Sequence, residues 1–280
     1  MPRTMLTDQH WQKLKVILRN LSIHHNSNLR NFIEAILYRI RTGCPWRDIP
    51  SCFGHSNSIF KRFNRWSSSG KLLRLFKLLA SCPDMEWIFI DGSHVRAHQH
   101  SAGIANQSIS KSAGGNSSKI HLIVDAHGNP IDFMITDGTT HDVKVAPDLI
   151  STLDLKETKV VCADKGYDSE PLREQIRKTG TKANIPKKTN SQSNNDHMDW
   201  YLYKIRHLVE NMFCRLKQFR GIATRYDKLK RNYQSSVALA CIFLATVIGL
   251  IMNSKCQQTL INGIFRTLLV QRKNLTEKVI

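Results

Sequence analysis

Trp87-Ile88-Phe89-Ile90-Asp91 is the stretch on which the fold turns. Four apolar, β-favouring residues read as a buried strand, and the run stops on a carboxylate. A second run, Thr158 to Ala163, ends the same way on Asp164. Strands written as near-continuous apolar runs belong in sheets covered on both faces. Pro83 separates this region from an upstream segment, residues 1–80, whose apolar residues recur at helical spacing instead.

Between and beyond the two acids the chain alternates. Lys119 to Val124 is a second strand and Ile131 to Ile135 a third, joined by the turn-forming Asp125-Ala126-His127-Gly128-Asn129-Pro130. Asp142 to Leu153 reads as helix, Ser169 caps another that Gly180 ends, and Ala183-Asn184-Ile185 is a short fifth strand. A long helix follows from about Asp199 to Phe219. Residues 98–118 and 187–197 are polar and read as loops. The order β-β-β-α-β-α-β-α predicts an α/β fold, an RNase H-like mixed five-stranded sheet flanked by helices. In that topology the first and fourth strands are parallel neighbours. Asp91 and Asp164 then leave the sheet at one carboxyl edge, where open α/β sheets bind ligands.

Strands about 4.8 Å apart bring the two acids close enough to bridge cations, and a divalent ion cancels their repulsion. Oxygen-only ligands favour Mg²⁺ or Mn²⁺ over zinc. The helix at 199–219 offers a third acid. At about 100° per residue, Ile205, Leu208, Val209, Met212 and Leu216 share an apolar face, while Tyr203, Arg206, Glu210 and Lys217 form a second stripe. An ordinary solvated Arg206–Glu210 pair would explain two of these residues. A tyrosine able to stack or hydrogen-bond and a lysine able to hold phosphate on the same stripe weaken that simpler reading.

Upstream, Thr7 or Asp8 can cap a helix carrying Trp11, Leu14, Ile17 and Leu18, and Leu29 to Arg41 forms a second, stopped by Gly43 and Pro45. After the Phe53-Gly54-His55 turn, Ser56 can cap a helix that buries Ile59, Phe60, Phe63 and Trp66 and projects Lys61, Arg62 and Arg65. A short helix, a glycine turn and a basic helix form a helix-turn-helix-like layout, although helical hairpins with surface lysine and arginine are common. Trp11, Trp46 and Trp66 are expected to pack these helices together.

Lys and Arg outnumber Asp and Glu by 41 to 22, a formal charge of +19 that calls for a polyanionic partner. Nucleic acid is the first candidate, with double-stranded DNA the partner that the resemblance described below implies, and an anionic membrane surface is the second. The apolar run Val237 to Met252 contains Thr246 and Gly249 and is shorter than the roughly 20 residues a membrane span requires. It reads as a core helix. Met1 to Met5 lacks the apolar centre of a signal peptide. Seven cysteines without a Cys-x-x-Cys pair fit a reducing cytoplasm and give no zinc spacing.

Four segments carry a family resemblance. Tyr203, Arg206, Glu210 and Lys217, spaced by two, three and six residues, resemble the signature around the catalytic glutamate of bacterial insertion-sequence transposases. Ile90-Asp91-Gly92-Ser93-His94-Val95-Arg96-Ala97-His98, Ala163-Asp164-Lys165-Gly166-Tyr167-Asp168 and Ile222-Ala223-Thr224-Arg225-Tyr226-Asp227-Lys228 resemble segments of the insertion-sequence-five family. Thr42 to Pro50 is similar to that family's N-terminal domain, so the likeness covers roughly residues 5–250. It implies a DDE transposase whose triad is Asp91, Asp164 and Glu210, holding two Mg²⁺ or Mn²⁺ ions. Its partners would be element ends and target DNA, handled by a homo-oligomer at the nucleoid. Residues 1–80 would bind DNA, 84–252 would catalyse, and 253–280 form a tail without a counterpart. This chain has Lys111 in the Gly-rich loop where relatives carry arginine, and Lys187-Lys188-Thr189-Asn190-Ser191 where they place an arginine after Ile-Pro.

Other residues compete for these roles. Asp125, Asp142 and Asp168 are candidate acids, each with an ordinary turn or cap to serve. His94, His98, His100, His121 and His141 are scattered, and loop polarity or phosphate contact suits them better than zinc. A nuclease of the same fold, or a DNA-binding repressor without catalysis, would share much of this sequence logic.

Overall fold

The computed structural model describes residues 4–21, 23, 28–80, 83–112, 114–188 and 194–247. The tail at 253–280, the end of the apolar run at 248–252 and part of the 187–197 loop lie outside the described residues. Four helices lead: α1 (Asp8–Asn20), α2 (Leu29–Thr42), α3 (Ser56–Ser68) and α4 (Lys71–Leu79). Then come β1 (Trp87–Ala97), β2 (Ser110–Ser112), β3 (Gly115–Val124), β4 (Pro130–Asp137), α5 (Asp142–Ser151), β5 (Val160–Ala163), α6 (Glu170–Lys178) and β6 (Lys182–Asn184). The chain continues with α7 (Trp200–Ile205), α8 (His207–Lys217), α9 (Arg220–Ala223), β7 (Thr224–Arg225) and α10 (Lys230–Val247).

Five strands form the body of the sheet in the order β4-β3-β1-β5-β6, with short β2 on β3 and β7 on β1. β1 is antiparallel to β3 and parallel to β5, and the parallel register runs from Trp87 opposite Val160 to Ile90 opposite Ala163. This is the mixed RNase H-like sheet that the element order predicts. Both faces are buried, and the pleat sorts the residues. Phe89, Ile120, Leu122 and Cys162 join a core shared with α2, α3, α4, α8 and α10. Ile88, Ile90, Val161 and Ala163 join a second core under α5 and α6. The first core is continuous from the N-terminal helices to the sheet.

Several boundaries differ from the sequence expectation. β1 does not stop at Ile90: pairing with β5 ends there, but pairing with β3 continues through Arg96 opposite Ser117. Asp91 therefore sits within a strand whose later residues are too polar to advertise it. β3 starts at Gly115 and β2 occupies part of the expected loop. The helix expected over 199–219 breaks at Arg206, where Arg206 N–H bonds to the Tyr203 carbonyl and Val209 N–H to the Arg206 carbonyl, tight three-residue closures. Thr7 does cap α1, its hydroxyl accepting from His10 N–H at 3.2 Å. Ser56 instead lies inside α3 behind His55, and Ser169 precedes α6 without a side-chain cap bond. Phe60 remains 36% exposed rather than buried, its ring 5.2 Å from Trp46. Among the described residues no helix is long and apolar enough to cross a membrane.

Candidate active site at the carboxyl edge of the sheet

The register that matches Ile90 with Ala163 puts Asp91 and Asp164 one step further along neighbouring parallel strands. Alternation then sends both toward the face packed by Val209, Met212 and Leu216 of α8. Backbone donors hold each acid. Gly92 N–H donates to Asp91 Oδ1 at 2.7 Å, and Gly166 N–H to Asp164 Oδ1 at 2.8 Å. A side chain at 166 would crowd the latter, since its Cβ would lie 2.9 Å from Asp164 Oδ1. Burial raises the Asp91 carboxyl above the usual carboxylate range, and the negative charge of Asp164 raises it further; Gly92 and Arg206 oppose the shift.

Glu210 lies in the first turn of α8, where the helix dipole favours an anion. Arg206 links it to the strand acids: one guanidinium nitrogen reaches Asp91 Oδ2 at 2.9 Å and another Glu210 Oε1 at 2.5 Å. The sequence reading offered Arg206 to DNA phosphate, but here it turns inward, with only 16% of its side chain exposed. Its guanidinium also lies 5.6 Å from the Tyr203 ring centre. Lys217 reaches back to β1 and donates to Ser93 Oγ at 2.6 Å. Tyr203, Arg206, Glu210 and Lys217 thus border one edge although two helices carry them. Trp200 stacks edge-on against Tyr203 and stays half exposed, a neighbour the sequence reading did not single out.

The oxygen-rich acids and the mutual repulsion of Asp91 and Asp164 suit a hard divalent cation. In this side-chain arrangement, with Arg206 between Asp91 and Glu210, no three His, Cys, Asp or Glu side chains among the described residues converge as a metal cluster. The rival acids are otherwise engaged. Asp125 accepts from His127 N–H and Asn129 N–H in the hairpin turn, and Asp168 pairs with Arg173 at 2.9 Å. Asp142 follows the N-cap His141 rather than capping α5 itself, and binds Lys119 at 2.6 Å. His94 bonds the Gly138 carbonyl, and His98 stacks with His100 and Tyr226. On α3, Lys61 and Arg65 are exposed, whereas Arg62 lies 4.4 Å from the Phe32 ring centre and 5.4 Å from that of Trp66.

A mixed sheet with two acids at its carboxyl edge and a helical glutamate beside them defines the class: an RNase H-like α/β fold with an acidic sheet edge. The model of the Transposase DDE domain family matches residues 83–245, more than half of the chain, so the chain belongs to that family. A second model, described as a candidate transposase of the IS4/5 family, matches residues 6–76. The chain is 38% identical over 127 residues to a Brucella ovis protein assigned as candidate transposase of insertion sequence element IS6501, covering 45% of this chain and 95% of that one. It is 31% identical over 135 residues to the Neisseria meningitidis serogroup B transposase for insertion sequence element IS1106, covering 45% of each. Among solved structures, a piggyBac transposase synaptic complex with hairpin DNA aligns over 96% of this chain and 80% of that one, with 11% identity and a TM-score of 0.44.

Proposed function

We propose that this transposase binds the ends of an insertion sequence and catalyses DNA cleavage and strand transfer through Asp91, Asp164 and Glu210. The observation that carries this reading is the parallel register bringing Asp91 and Asp164 out side by side, with Glu210 tied to Asp91 through Arg206. Mg²⁺ or Mn²⁺ ions held by the three acids, two in the arrangement we favour, would activate an attacking hydroxyl and neutralise charge at the phosphate.

The chain's own residues do the remaining work. Gly92 and Gly166 N–H groups aim the two strand carboxylates before substrate arrives. Arg206 balances Asp91 and Glu210 and keeps α8 registered on the sheet edge. Lys217, exposed and anchored at Ser93, lies where it can contact a phosphate and orient the strand for in-line attack. Tyr203 offers a ring beside the cleaved end. Residues 1–80 engage duplex DNA, with Lys61 and Arg65 of α3 on the phosphates; Arg62 serves there by holding the aromatic packing of α2 and α3. Residues 84–252 form the catalytic part. Two ends must be joined to one target, so a homo-oligomer acting on nucleoid DNA is the working form.

The test is cleavage and joining of an end-containing duplex in Mg²⁺ by folded Asp91→Asn, Asp164→Asn and Glu210→Gln. Each should lose cleavage and keep duplex binding. Near wild-type cleavage by any one removes that residue from the triad. Cleavage by wild type without joined product would favour a nuclease, and no metal-dependent nicking a DNA-binding repressor.

A further inference from the structure

Behind the sheet face that carries Asp91 and Asp164 lies a charged network that the reading above does not use. Strand alternation points Gly92, Lys119 and His121 toward the α5 side. There Lys119 Nζ donates to Asp142 Oδ2 at 2.6 Å, His121 Nδ1 lies 3.2 Å from Oδ1, and the Tyr167 hydroxyl donates to Oδ1 at 3.4 Å. The other His121 nitrogen bonds the Thr136 hydroxyl at 2.8 Å. Lys119 is 6% exposed and His121 0%. Stability alone does not call for such a network, because apolar residues of equal volume pack as well or better.

The network touches both acid-bearing segments. Gly92 follows Asp91, and a Cβ there would fall 2.4 Å from Asp142 Oδ1 and 2.7 Å from Lys119 Cε. Gly92 is therefore required by close approach. Tyr167, 1% exposed, ends the turn that Asp164 begins. Its N–H bonds the Asp164 carbonyl at 3.1 Å, while Gly166 N–H holds the Asp164 carboxylate.

We propose that Asp142 is a positioning residue for the carboxylate pair: clamped by Lys119 and His121, it seats Tyr167 and buttresses Gly92, and so sets the separation and aim of Asp91 and Asp164. It holds no ion itself, because Lys119 takes one oxygen and His121 and Tyr167 crowd the other. The inference rests on Asp91 and Asp164 being the catalytic pair. Groups that orient metal ligands from behind typically change metal affinity or activity by about 10- to 100-fold when removed.

The test measures Mn²⁺ binding to the full chain by electron paramagnetic resonance for wild type, Asp142→Asn, Tyr167→Phe and Asp91→Asn, alongside duplex binding and thermal unfolding. Folded Asp142→Asn should bind Mn²⁺ about tenfold more weakly or worse, with duplex affinity unchanged and cleavage partly rescued by excess Mn²⁺. Tyr167→Phe should move the same way by less. A role in stability alone would lower the melting temperature and leave the Mn²⁺ affinity of the folded protein unchanged, which overturns the proposal. If Asp142→Asn does not fold, wild-type Mn²⁺ affinity in Tyr167→Phe overturns it instead. Asp91→Asn separates the two levels. If it binds Mn²⁺ like wild type, the carboxylate-pair reading fails and this proposal with it. If it loses Mn²⁺ while Asp142→Asn and Tyr167→Phe keep it, only the positioning role fails.

Discussion

Removing Asp227 should destabilise this protein more than removing its ion-pair partner Arg39. The pair joins α2 to the segment after the candidate catalytic helix, with a guanidinium nitrogen 3.1 Å from Asp227 Oδ1 and side chains only 7% and 5% exposed. At that distance and an effective dielectric constant of about 20, the gross attraction is about 5 kcal/mol. Desolvation of both ions offsets most of it, but deleting one partner leaves the other buried and unpaired, which costs about 3–5 kcal/mol. The two deletions are not equivalent. Asp227→Ala leaves Arg39, whose Nε already lacks a hydrogen-bond partner, with the Trp46 ring 4.1 Å away but no counter-charge in its ion pair, and also removes a carboxylate whose charge favours the fully buried Arg225. Arg39→Met strands only Asp227, which keeps a hydroxyl from Ser236 at 3.4 Å. Urea unfolding should therefore place Asp227→Ala near the upper end of that range and Arg39→Met near about 3 kcal/mol. Arg39→Met/Asp227→Leu should recover much of the loss, because an apolar pair costs no desolvation. The reasoning fails if Asp227→Ala lies within about 1 kcal/mol of wild type, or if Arg39→Met proves the worse variant.

Lys217→Ala should reduce the salt dependence of duplex binding by about one unit, weaken end and random duplex alike, and slow cleavage. Lys156→Ala, 87% exposed between α5 and β5, serves as the surface control, and identical salt slopes for both variants would leave Lys217 without a phosphate. Burial raises the Asp142 carboxyl, but His121 and Lys119 outweigh it and hold the group at about 2; the hydroxyl of Thr139 chiefly holds Asp137 at about 2 as well. Folded values below the ordinary carboxylate range mean stability present above about pH 4 and lost as pH falls toward 2. Acid titration of unfolding should show a smaller loss over that window in Asp142→Asn than in wild type, and an unchanged loss would contradict the assignment. Burial pushes the Cys162 thiol up to about 11, so in the native protein at pH 8 a thiol reagent should label exposed Cys52 and Cys214 and spare Cys162. Peptide mapping of the labelled protein checks this.

How much of the fold could be read in advance depended on whether burial and local pattern agreed. Trp87–Ile90 and Val160–Ala163 are apolar on both faces, so their strand character and parallel pairing were legible. The second half of β1 was not. Asp91, Gly92, Ser93, His94 and Arg96 look like loop residues, and they are held extended by pairing with β3 and, at the end, β7, partners far away in sequence. β2, three polar residues on β3, was hidden for the same reason. Arg225 offers a sharper case. Its guanidinium is 0% exposed and donates to the Ser108, Asp227 and Lys228 carbonyls and to Ser118 Oγ. It clamps the loop before β2, and β3 itself, to the segment leading into α10, a task that spacing alone could not disclose.

The candidate site was legible as a set of residues but not as an arrangement of charge. Helical spacing placed Arg206 and Glu210 on one stripe, and that neighbourhood survives the break between α7 and α8. What spacing could not supply was Asp91, 115 residues earlier, as the second partner of the same guanidinium. Arg206 carries one positive charge against two carboxylates, and Asp164 adds a third negative charge nearby. The cluster is therefore net negative with Arg206 in place, which is the condition for attracting a divalent cation instead of repelling it. A lysine at 206 could not make this bridge in the same way, because an ammonium is a point charge whereas the planar guanidinium presents separate nitrogens to Asp91 and Glu210. The break at 206 has a physical reading in the same terms. The tight turn between α7 and α8 accompanies a guanidinium directed under the sheet edge, where it bonds both Asp91 and Glu210.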